Sequence, residues 1–70
     1  MCEVIQVDKN ILGGVPTFRE TRVPIKTFFD YIEGGKTIIE FTDDFPTVDK
    51  QDILKLLESL KSDIISKKVE

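Results

Sequence analysis

Histidine is absent from the 70 residues, and cysteine occurs once, at Cys2. The first absence removes the side chain that titrates near neutrality and is the commonest transition-metal ligand. The second excludes an intrachain disulfide or a thiolate metal cluster and fits a reducing compartment, with Cys2 an ordinary thiol near the chain end. No apolar run approaches the roughly 20 residues a membrane-spanning helix needs. The opening MCEVIQVDKN carries neither a basic leader nor an apolar segment of signal length, so a cytoplasmic protein is expected, with no membrane contact. Repeats and low-complexity tracts are missing too. The glycine pairs at 13–14 and 34–35 lack the spacing of a nucleotide-binding loop. Neither an enzyme nor a cofactor is expected.

Charge and size set the next limits. Ten basic residues against thirteen acidic give a net charge of -3, which argues against non-specific coating of nucleic acid while leaving room for a local basic patch. One domain of this length sits near the size where a single core barely offsets chain entropy of about 1–2 kcal/mol per residue, so help from a partner is expected. The carboxylates Asp30, Glu33, Glu40, Asp43 and Asp44 cluster in sequence, but a helix cap, a helix end and an exposed face account for them without metal or acid–base chemistry.

Apolar spacing gives the elements. Residues 3–7 read as a short strand with Ile5 and Val7 on one face, and Asp8-Lys9-Asn10 supplies turn chemistry. Gly13-Gly14 permits positive φ, Pro16 forbids a helix, and residues 17–23 read as extended with Phe18 inward. Pro24 suits a first helical position, and Ile25, Phe28, Phe29 and Ile32 then recur at helical spacing until Gly34-Gly35. Thr37 and Glu40 form a capping box for a short second helix ending near Asp43-Asp44, since Pro46 disfavours α geometry at Phe45. A third helix is expected from Val48 to about Ile65, capped by Thr47, with Asp49 in its first turn and an apolar stripe from Ile53 to Ile64. At about 1.5 Å per residue it outruns a core this small.

A short helix, a brief turn and a longer helix follow the helix-turn-helix plan, in which the second helix enters the DNA major groove. On that plan Thr47, Lys50, Gln51 and Lys55 face phosphates or base edges, although Asp49, Asp52 and Glu58 share the region. A solvated mixed-charge helix face explains the same residues. Arg19, Arg22, Lys26 and Lys36 form a second basic group, either gripping phosphate, with Arg22 and Lys36 the main candidates, or rimming a dimer interface. The extended segments leave a sheet edge that a second copy could cover, so a homodimer is expected, with Ile5, Val7 and Phe18 in that contact or in the core. Leu60, Ile64 and Ile65 continue on a helical face beyond the core and are assigned to a partner.

Gly13-Gly14, Pro16, Thr21-Arg22-Val23-Pro24, the first helix through Gly34, the short second helix, Pro46 and the apolar third helix together resemble a small bacterial and archaeal family, domain of unknown function 433, over about residues 8–60. The resemblance implies a homeodomain-like helix-turn-helix and, for many members, an antitoxin beside a PIN-like nuclease toxin. The family pattern has glycine where this chain has Glu20, which puts in question both the turn and any phosphate grip by the neighbouring arginines. The expected fold is therefore mostly α: a three-helix, homeodomain-like helix-turn-helix bundle (24–60), an N-terminal extended arm or short β-hairpin (1–23) and a C-terminal helical tail (61–70), in one domain. The expected function is the antitoxin of a type II pair, binding its toxin and operator DNA. A protein-interaction adaptor or dimeric scaffold that keeps the shape without DNA binding is the alternative.

Overall fold

A computed structural model describes residues 3–67; the thiol at Cys2 and the last three residues of the expected tail, 68–70, lie outside the described residues. The elements are β1 (Ile5–Gln6), a 3-10 turn (Leu12–Gly14), β2 (Thr17–Phe18), α1 (Ile25–Glu33), α2 (Ile38–Asp44) and α3 (Lys50–Ile65). The fold is mostly α, with a short antiparallel hairpin ahead of three helices.

The hairpin pairs Ile5 with Phe18 and Gln6 with Thr17. Its long loop is turned by Asp8, whose Oδ1 accepts the Asn10 N–H at 2.8 Å, and by Gly13 and Gly14 at φ 69° and 94°, where glycine carries no Cβ penalty. Ile5 shares the face of its buried partner Phe18 and packs on the core, but Val7, beyond the end of the strand, does not follow it. Val4 is fully buried, Ile5 is half-buried against the core and Val7 is 57% exposed. On the other face Gln6 donates its amide Nε2 to Thr17 Oγ1 and to the Thr21 carbonyl, both at 2.9 Å, which ties the strand to the turn that follows β2. Of the two roles open to Phe18, it takes the core, with no exposed surface left for a second copy.

Pro24 is the N-cap of α1 and not its first helical residue. Its ψ of 142° is extended because it bridges to Thr17, and the next N–H, that of Ile25, donates to the Pro16 carbonyl at 2.9 Å. The far end of α1 closes as expected. Gly35, at φ 84°, donates to the Ile32 carbonyl at 3.0 Å while Lys36 N–H reaches the Tyr31 carbonyl at 2.9 Å, satisfying carbonyls that the helix end would orphan. Thr37 and Glu40 then form the reciprocal capping box of α2, and Phe45 leaves helical geometry ahead of Pro46.

α3 begins two residues later than the sequence pattern indicates. Thr47 is exposed and caps nothing; Asp49 is the N-cap and accepts the Gln51 N–H at 2.9 Å. The delay follows from Val48, which is buried in the core and whose N–H bonds the Phe45 carbonyl at 3.0 Å, so the chain must stay in a turn until it is seated.

Phe41 is the centre of the core. Its ring lies 5.9 Å from Phe18, 5.2 Å from Phe28, 5.3 Å from Tyr31 and 5.1 Å from Phe45, the Phe28 and Tyr31 contacts being edge-to-face. Thus β2, α1 and α2 meet on one side chain. α3 adds Ile53 and Leu56 from its first half, while every described residue from Leu60 onward is exposed.

Candidate nucleic-acid and partner interface

The turn at residues 45–49 delivers α3 with its first turn outermost. Thr47, Lys50 and Gln51 are all exposed there. Lys55 lies one turn on from Gln51, about 40° round the helix, and its Nζ is 3.6 Å from Glu3 Oε1. Lys36, at the α1–α2 junction, lies 3.9 Å from Glu40 Oε2 and belongs to the capping region of α2. Within the expected DNA-facing set, Lys55 and Lys36 therefore each face a carboxylate, and the exposed Thr47, Lys50 and Gln51 do not.

Arg22 joins the group from the other side. The stretch that turns from β2 into α1 borders an open groove of about 510 Å³, lined by Gln6, Ile11, Glu20, Thr21, Arg22, Val23 and Thr47. Thr47 is shared, so the groove runs from the hairpin turn to the entrance of α3. Arg22 is exposed and has no carboxylate within ion-pair distance among the described residues, and the same holds for Lys50.

Arg19 has a different fate. Its Nε and Nη2 donate to the two carboxylate oxygens of Asp52 at 3.1 and 2.8 Å, a bidentate pair tying the hairpin turn to the first turns of α3. The Asp52 side chain is 7% exposed, and its hydrogen bonds hold the Arg19 guanidinium above its ordinary pKa. Arg19 is a brace, with its Nε and Nη2 donors committed to Asp52. Sequence reasoning did not find this pair, although a signal existed: Asp52 adjoins Ile53 on the inward side of α3, where a carboxylate requires a partner. Gln6, which also accepts the Glu20 N–H at 3.2 Å, was missed because a lone glutamine in a strand carries no local sign of its partners.

Residues 5–58 match the family described as protein of unknown function DUF433. The chain belongs to the DUF433 family. No curated protein and no solved structure matches it. The DUF433 match takes in the hairpin, α1, α2 and the first half of α3, and with them the groove and the Arg19–Asp52 brace.

Within this DUF433 chain, Glu20 answers the question its sequence raised. The turn is kept: Thr21 N–H donates to the Phe18 carbonyl at 3.1 Å, and Glu20 adopts φ 59°. A positive φ at the third residue of a β-turn is the position glycine ordinarily fills, and here glutamate carries the strain.

The C-terminal candidates also separate. Leu60 (38% exposed) and Ile64 (70%) continue the stripe of Ile53 and Leu57 off the end of the core. Ile65 (64% exposed) is about 100° round from Ile64 and lies on the outer face instead. No helix among the described residues is long and apolar enough to cross a membrane.

Proposed function

We propose that the chain is the antitoxin of a type II toxin–antitoxin pair, which binds a PIN-like nuclease toxin and reads operator DNA. The observation that carries the DNA half is the grouping of Thr47, Lys50 and Gln51 on the first turn of α3, with Arg22 across a shared groove and no carboxylate pairing either cation among the described residues. The helix presents donors to base edges and phosphates, and Arg22 adds a planar guanidinium suited to a phosphate oxygen pair. Leu60 and Ile64 offer the toxin an apolar stripe that the chain's own core does not cover. Two copies in the cytoplasm would present two such helices to a palindromic site.

A net charge of -3, with Asp49 exposed beside Lys50, favours a second reading: an adaptor that holds a protein partner and does not touch DNA. One titration separates them. Labelled DNA from upstream of the chain's own gene is followed by fluorescence anisotropy, with unrelated competitor present, for the chain alone and with its co-purified partner. The antitoxin reading expects competitor-resistant binding that Lys50→Glu abolishes while the partner is still retained. Absence of binding at low salt in both samples leaves the adaptor.

A further inference from the structure

α3 carries a further surface on its outer side, continuing C-terminally from the face of Lys50 and Gln51. Leu54, Glu58, Lys61 and Ile65 are spaced four, three and four residues apart, the spacing of a coiled-coil seam, and all four are exposed, Leu54 at 42% and Ile65 at 64%. Ile53 and Leu57 are occupied by the chain's own core, so this seam has no intramolecular use. Glu58 and Lys61 have no ion-pair partner among the described residues.

We propose that this face pairs with the same face of a second copy of the chain, the two helices antiparallel and related by a two-fold axis between residues 59 and 60. Charge decides the occupant and the direction. In that register Leu54 lies across from Ile65 and Glu58 across from Lys61, and the symmetry repeats each contact, so the face complements itself in both apolar surface and charge. A parallel pair would set Glu58 against Glu58 and Lys61 against Lys61. α3 ends at Ile65, opposite the other copy's Leu54, so the paired helical segment stops short of the turn with Lys50 and Gln51. Leu60 and Ile64 flank the seam and are not part of it. The paired segment is about 18 Å long, short of what a standard interface of about 1,200 Å² requires, so the dimer is weak and concentration-dependent.

The inference does not rest on the antitoxin reading, and its test contains neither DNA nor toxin. Sedimentation equilibrium of the full chain, from micromolar to millimolar, is compared for the unmodified protein, Glu58→Lys, Lys61→Glu, the double exchange and Leu54→Asp. Circular dichroism checks that these surface variants fold. A reversible monomer–dimer equilibrium is expected in the unmodified chain. Each single reversal turns two attractive pairs into two repulsive ones and weakens association roughly tenfold. The double exchange restores the original constant to within about threefold, since it only swaps the two charges, and Leu54→Asp abolishes dimerisation. A chain that stays monomeric at millimolar concentration overturns the proposal. So does a dimer indifferent to the single reversals, or a double exchange no better than either single one.

Discussion

Glu20→Gly should stabilise this protein, and the size of the gain follows from one dihedral angle. Glu20 sits at φ 59°, where an L-residue brings its Cβ too close to its own carbonyl oxygen at a cost of roughly 1–2 kcal/mol. Glycine removes that cost but brings a more flexible unfolded chain, which returns about 0.5–1 kcal/mol. The net expectation is a gain of about 0.5–1 kcal/mol. For a domain this small, 1 kcal/mol corresponds to about 4–8 °C in Tm, so thermal melts by circular dichroism should rise by about 2–8 °C, with urea midpoints moving in step. Every hydrogen bond Glu20 makes in the turn is through its backbone, including the N–H to Gln6 Oε1, so glycine keeps it.

Charge works against the gain, because the Glu20 carboxylate also lies near Arg19, attracts it and helps to raise its pKa. Glu20→Ala isolates it: alanine removes the carboxylate and keeps the Cβ. The conformational account expects alanine to melt at or slightly below the original temperature and glycine clearly above it. Equal stabilisation by both, or a loss with glycine, would refute the strain argument.

The other predictions concern the core, the single tyrosine and the proposed DNA face. Phe41→Ala deletes the ring on which β2, α1 and α2 meet and should cost roughly 3–5 kcal/mol, which takes most of the roughly 4–10 kcal/mol a domain of this length has; an intact urea transition near the original midpoint would contradict the role given to Phe41. The Tyr31 hydroxyl donates to Asp44 Oδ2 at 2.7 Å, and that bond, with partial burial, raises its pKa above the ordinary value near 10. Because the folded state holds this proton more tightly than the unfolded chain, the stabilisation is complete below about pH 10 and is lost as pH rises through the folded value. With one tyrosine in the chain, tyrosinate absorbance reads the titration directly, and Asp44→Asn should lower its midpoint towards the ordinary value. If Arg22 and Lys50 supply the phosphate contacts, the logarithm of operator affinity should fall with the logarithm of salt with a slope of about -2 per bound copy. A slope near zero would remove both residues from the DNA face.

What the sequence revealed was local chemistry. The capping box at Thr37 and Glu40, the left-handed glycine ending α1 and the break before Pro46 depend on residues a few positions apart, and all appear as expected. Errors arose where tertiary contact overrides a local preference. Thr47 is a good cap by composition, but seating Val48 in the core moves the helix start to Lys50. Pro24 fits a first helical turn, but its bridge to Thr17 draws it into the hairpin. Strand alternation puts Val7 with Ile5, but the strand ends at Gln6, whose amide is held by partners eleven and fifteen residues away, and Val7 is exposed.

The candidate site was legible in the same uneven way. Lys50 and Gln51 follow from helix phase, whereas the contrast between Arg19 and Arg22, three residues apart in one turn, is decided by Asp52, thirty-three residues from Arg19. That pair changes what the hairpin is for. A free arm would reach outward, but the bidentate bond to Asp52 and the shared lining at Thr47 fix the turn against the entrance of α3. The carboxylate of Asp52 is nearly buried, so loss of Arg19 would leave it a costly unpaired charge. The orientation of α3's first turn is thereby tied to the hairpin, and so is the spacing between Lys50 on the helix and Arg22 on the groove. The backbones that carry the two cations are therefore fixed relative to one another, which is what a selective two-point contact would need.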